Sequence, residues 1–187
     1  MKKFFLIAAT ALLSLTGLSQ PKFAHVNTEE LVQLCPESDQ ARATLTASRK
    51  EAQDTYQAMV DEFQSKYQKY EQNGQTWTAA IRESKEKELT DIRTRIQEFE
   101  QSIQNELQQQ QQQLMAPIYK KVMDTVKGIA KERGYIYVFE AASLVYFDET
   151  QSTDITPDAR KLLGIPADRT LESLQAELQA QQQAMQQ

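Results

Sequence analysis

Residues able to do chemistry are few and scattered. The chain holds one histidine, His25, and one cysteine, Cys35. Neither has a second His or Cys at metal-ligand spacing, and no glycine-rich phosphate loop or nucleophile motif accompanies them. Carboxylates are plentiful, but they alternate with lysines and arginines on helix-forming stretches. That is the pattern of solvated i,i+4 ion pairs rather than of acid–base catalysis. These residue types point away from an enzyme and from any metal or cofactor. His25, in a short extended run, reads as structural. Cys35 reads as a small buried apolar residue, the other uses of a lone thiol being a reactive group or an intermolecular bridge; no internal disulfide can hold the fold. What remains is contact chemistry. Tyr67, Tyr70 and Trp77, beside lysine and arginine stems, offer apolar area next to polar groups and are the candidates for touching another chain. Trp77 has a second reading, packing on Ile81 or across on Tyr70.

These aromatics lie on a stretch that organises the chain, residues 39–117. Leu45, Ala52 and Met59 repeat every seven residues, as do Tyr56, Phe63 and Tyr70, and the two series alternate as the a and d positions of a coiled coil. After Asn73-Gly74 the pattern resumes with Leu89, Ile96 and Ile103 in one series and Ile92 and Phe99 in the other. A fold at about residue 76 brings Phe63 opposite Leu89, Tyr56 opposite Ile96 and Arg49 near Ile103. The spacing therefore predicts a long antiparallel helical hairpin, with its tip at about residues 72–78. Gly74 suits a left-handed helix end and Thr78 an N-cap. The first helix makes an arm of about 50 Å, and the second, running to Arg133, about 80 Å. At the root, small residues from Ala41 to Ser48 face the glutamine run Gln108–Gln113, so that end is expected to pack loosely.

The remaining segments predict a small body. Residues 20–38 hold a strand, Phe23–Val26, and a short helix over Thr28–Leu34 with Asn27 and Glu30 as a capping pair, broken by Pro36. In residues 118–166, the stripe Ile118, Val122, Val126 and Ile129 follows Pro117, which is expected to kink the helix. Gly134 ends that helix. The runs Tyr135–Glu140 and Leu144–Phe147 are expected to form a β-hairpin. A helix opens at Thr156-Pro157 and closes at Gly164. Residues 167–187 hold Leu171, Leu174 and Leu178 on a short amphipathic helix and a Gln-rich tail expected to fray. The fold class is mainly α with a small β body, an α+β arrangement.

Residues 1–19 read as a signal peptide. Lys2 and Lys3 precede an apolar run from Phe4 to Leu15, too short to span a membrane, and Gly17 and Ser19 suit cleavage after Ser19. No cysteine follows closely enough for a lipid anchor, so no stable membrane anchor is expected. Removing the two lysines takes the net charge from −5 to −7. No basic segment suggests nucleic acid.

The segments KFAHVNTEELVQLCPE, SKEKELTDIRTRIQEFEQ and LMAPIYKKVMDTVKGIAKERGYIYVFEAASLVYF with DITPDARKLLGI span nearly all of the exported part. In these the chain resembles the OmpH/Skp family of periplasmic chaperones, and its Gln-rich arm root resembles the Bacteroidetes-type members. The resemblance implies a homotrimer whose strands form a central β body. Three arms hang from that body around a cavity that holds unfolded outer-membrane proteins without ATP. On that reading Phe23, Val26, Ile136, Val138, Val145 and Phe147 are the oligomerisation residues. One departure matters: the best-known enteric member is strongly basic, with basic arm residues proposed to bind lipopolysaccharide. Here the span Glu37–Arg133 carries 15 basic against 16 acidic residues. Arg82, Lys85, Lys87, Arg93 and Arg95 are interleaved with Glu83, Glu86, Glu88 and Asp91, so no lipopolysaccharide site is carried over. Two functions stay open on the sequence, a periplasmic holdase and a structural coiled-coil spacer of the cell envelope.

Overall fold

The computed structural model of the chain describes residues 21–185. The signal segment lies outside them. The order is strand β1 (Phe23–Val26), helix α1 (Thr28–Leu34), α2 (Pro36–Asn73), α3 (Ala79–Arg133), β2 (Tyr137–Glu140), a 3-10 turn (Ala141–Ser143), β3 (Ser152–Asp154), α4 (Thr156–Leu162) and α5 (Leu171–Met185).

Local chemistry fixes most element ends. The Asn27 side chain accepts from the Glu30 amide at 2.9 Å, which starts α1. Pro36 does not merely break α1; it opens α2 at its first turn, where a missing N–H costs nothing. Thr78 caps α3. Gly134 ends α3 with φ 70°, the left-handed region where only a residue without Cβ is unstrained. Gly74 departs from expectation. It is right-handed, φ −57°, and its glycine requirement is steric: a Cβ there would sit 2.6 Å from the Tyr70 carbonyl oxygen. The helix runs unbroken through Pro117.

The sheet corrects the sequence reading. Its order is β2-β1-β3, with both pairings parallel. The expected hairpin partner, Leu144–Phe147, is not a strand. After β2 the chain turns through Ala141–Ser143, and Phe147 instead rests its ring 4.2 Å from His25. The place beside β1 goes to β3, a polar triplet joined by backbone bonds and by the 2.9 Å bond between His25 Nδ1 and Ser152 Oγ. Strand propensity measures fit to a half-buried surface, not the identity of a partner, so an aromatic run was mistaken for a strand.

One sheet face is the core. Ala24 and Val26 of β1 pack with Leu31 and Leu34 of α1, with Ile118, Val122, Val126 and Ile129 of α3, and with Ile155 and Ala159 around α4. Cys35 is fully buried here. The Gln-rich C-terminus is helical through Met185 rather than frayed, with Leu174 buried and Leu171 and Leu178 packed on the core. Ion pairs link the pieces, Arg169 to Asp39 at 2.6 Å and Arg133 to Asp158 at 2.6 Å. From this core α2 and α3 project as the arm, with α3 about 80 Å long.

Because the core is small, a single truncation should be felt across the body. Leu31→Ala removes a side chain with no exposed area and is expected to cost about 3 kcal/mol in urea unfolding. A cost under about 1 kcal/mol would show that the core repacks around the gap.

Candidate functional site

The arm carries the candidate contact residues, and its seam follows the heptads. Leu45, Ala52, Tyr56, Met59, Phe63 and Tyr70 on α2 are at least half-buried, as are Leu89, Ile92, Ile96, Phe99 and Ile103 on α3. Cross-arm partners sit about one turn from the level positions. The Glu100 carboxylate beside Tyr56 raises the phenol's titration, and the Arg93 guanidinium lies 5.5 Å over the Phe63 ring. Helix side chains lean toward their own N-termini, which in an antiparallel pair produces this offset from a fold near residue 76.

Burial along the seam is uneven. Ile92 is 2% exposed, while no α2 residue beyond Leu45 within the helix is fully buried. Polar partners complete the outer half. Lys66 pairs with Glu88, which also receives Lys85 at 2.9 Å, and Arg95 reaches Glu62 at 3.5 Å. The two lysines hold the Glu88 carboxyl down to about 2. Near the root a groove of about 450 Å³ opens between the helices, from Ser48 to Thr55 on one side and from Phe99 to Gln113 on the other. The stretch from Ala41 to Ser48, expected to pack loosely, instead holds Ala41 and Leu45, two of the buried residues of α2, and the groove opens farther out along the arm.

The predicted contact residues take distinct positions. Tyr67 is 45% exposed and stacks on Phe63, ring centroids 6.0 Å apart. Tyr70 donates its hydroxyl to Glu86 and meets Trp77 edge-on at 5.9 Å. Trp77 is thus turned in at the tip rather than displayed. Arg82 donates to the Gly74 carbonyl oxygen at 3.1 Å and pins the same turn.

The second candidate surface is the sheet face away from the helices. Phe23, Tyr137 and Phe139 cluster on it with centroids 5.9–6.4 Å apart, and Tyr137 is 59% exposed. Ile136 is exposed nearby, and Val145 and Tyr146 protrude fully into solvent. Val26 and Val138, by contrast, lie on the core face. Sequence reasoning missed Tyr137 and Phe139; alternation along β2, with Val138 inward, was the signal that could have found them.

Chemistry in the body is inert. Burial first, and a hydrogen bond to Glu37 second, push the Cys35 thiol up to about 11. The Cys35 contact and Lys121 hold Glu37 down to about 2. Among the described residues no group of three His, Cys, Asp or Glu could hold a metal, and no helix is long and apolar enough to cross a membrane.

A long two-helix arm on a small α+β body, with amphipathic walls and an open aromatic face, defines a binding and assembly protein. The sequence profile described as "Outer membrane protein (OmpH-like)" matches residues 22–163, and the chain belongs to that family. It is 29% identical to the chaperone protein Skp of Yersinia enterocolitica over 163 residues, 86% of this chain and 98% of that protein. To the chaperone protein Skp of Pectobacterium atrosepticum it is 27% identical over 164 residues, with the same coverage of 86% and 98%. The crystal structure of an OmpH-like outer membrane chaperone from Caulobacter crescentus shares the fold. Its TM-score is 0.69 at 12% identity, covering 79% of this chain and 86% of that one. Helix α5 lies beyond the matched profile.

Two outcomes follow from the arm. Backbone amides beside the root groove are expected to exchange faster with solvent than those around Phe63 and Ile92, since opening is cheapest where packing is poorest. Uniform protection along the hairpin would contradict this. The second concerns Glu88, whose titration is lowered from the ordinary 4.5 to about 2. A depressed carboxyl stabilises the folded arm above its free value and loses that contribution as pH falls toward about 2. Lys66→Met should raise the Glu88 midpoint in a carboxyl NMR titration; an unmoved midpoint would refute the pairing.

Proposed function

We propose that the chain is an ATP-independent holdase of the periplasm that keeps unfolded outer-membrane proteins from aggregating, in a cavity between the arms of a homotrimer. The observation that carries this reading is the arm itself. It projects far beyond its own core and leaves aromatic and charged side chains part-exposed along a thinly buried seam. Its relatives bear the name of chaperones. A client of variable sequence is best held by many weak contacts, each about 1 kcal/mol or less, which together give useful affinity and still permit release. Tyr67 is the most accessible of the contact residues; Tyr70 and Trp77 are half-buried.

The trimer is supported by what one protomer leaves uncovered. The outer edges of β2 and β3 have no partner among the described residues, and Phe23, Tyr137, Phe139, Val145 and Tyr146 form apolar surface that a soluble monomer rarely displays. Cleavage after Ser19 would deliver the chain to the periplasm. The spacer reading is weaker because the tip offers no apolar docking patch: Trp77 is folded onto Tyr70, leaving Ile81 as the exposed large apolar residue there.

The test dilutes a urea-unfolded β-barrel protein into buffer with excess mature chain and no nucleotide, followed by light scattering. Aggregation should be suppressed, should stay suppressed in moderate salt because the arm is nearly neutral, and should return when residues 52–99 are deleted. Tyr137→Asp, on the open face, should lower the sedimenting mass to that of a monomer. Full aggregation beside an intact wild-type assembly would overturn the holdase.

A further inference from the structure

The groove at the arm root is built for more than slack packing. Its floor is apolar: Ala52 from α2 and Phe99, Ile103 and Leu107 from α3, all half-buried. Its rims are polar, with Glu51 on one side and Glu106, Gln109, Gln110 and Gln113 on the other. No lysine or arginine lines it, and among the described residues neither Glu51 nor Glu106 lies within ion-pair distance of a cation. Several other arm carboxylates also stand without a cation; these two are distinguished by their place at the edge of an apolar trough.

We propose that this groove binds a short extended peptide segment that alternates apolar side chains with lysine or arginine. The proposal rests on the chaperone reading and specifies which client segments this part of the arm selects. Three features fit. Phe99, Ile103 and Leu107 recur every four residues, about 6 Å apart on a helix, close to the roughly 6.7 Å between side chains on one face of a strand. Apolar residues at alternate positions therefore meet successive floor residues. From Phe99 to Gln113 the groove runs about 21 Å, the length of some six extended residues. An extended backbone turns its N–H and C=O groups sideways, toward the rims, where each glutamine amide both donates and accepts. The intervening side chains point away from the floor, and a long basic one can lean over the rim to Glu51 or Glu106.

The probes are fluorescent heptapeptides alternating leucine with lysine, with glutamate or with serine, titrated into the mature full-length chain by anisotropy at low salt. The lysine peptide should bind several-fold more tightly than the glutamate one, since each exposed ion pair adds up to about fivefold. The double variant Glu51→Gln, Glu106→Gln should abolish that preference while leaving the serine peptide unchanged. Ala52→Trp should weaken all three at least tenfold by filling the floor, with helicity and sedimentation as checks on folding. A fluorophore on Gln110→Cys reports occupancy without touching the floor. Equal binding of lysine and glutamate peptides, or no response of the rim fluorophore to a bound peptide, would overturn the site. Full protection of an unfolded β-barrel protein with no peptide in the groove would remove this site alone. Loss of protection by the wild-type chain would instead remove the chaperone reading.

Discussion

One apolar stripe joins the arm to the body. Ile103, Leu107 and Leu114 face α2, and the same helical phase continues into Ile118, Val122, Val126 and Ile129, which face the sheet and the small helices. Since α3 is continuous, the stripe sets the arm's direction wherever the core sets the stripe. Ion pairs such as Arg169 with Asp39 and Lys121 with Glu37 brace the same joint. They are partly solvated and each contributes little; the buried aliphatic side chains decide the geometry.

Farther out the balance reverses. The seam holds one fully buried residue on α3, Ile92, and half-buried aromatics elsewhere, supplemented by Lys66, Glu88 and Glu62. Such a seam is enough to keep two helices together once the root anchors them, yet it leaves polar and apolar groups available on the outer walls. A tightly packed coiled coil would have spent those aromatics internally.

Much of this was legible in the sequence because it depends on periodicity. The heptads give both arm helices, and the caps at Asn27 and Thr78 and the stop at Gly134 depend on local backbone chemistry that sequence records directly. The sheet was not legible. Its partners are chosen by tertiary competition: β3 has no hydrophobic signature at all, and the attractive run Leu144–Phe147 stays outside. Val145 and Tyr146, apolar as they are, stand in solvent in the single chain. Exposure at the arm was legible too: Tyr67 is exposed, and Trp77 packs across on Tyr70, the packing that its position offered.

The central strand also imposes an order of events. β1 stands near the start of the chain, yet Thr28 meets Glu140 across 112 residues and His25 meets Ser152 across 127. Closing loops of that size directly is slow, because the entropy is lost before any contact repays it. The arm shortens the route. Once the local hairpin zips from its tip, Pro36 and Arg133 are brought to the same end, and the strand waiting beyond one finds its neighbour just beyond the other. For a chain that enters its compartment amino end first, β1 must therefore wait, unpaired, until nearly the whole polypeptide has arrived. Such a chain spends that passage with its central strand exposed.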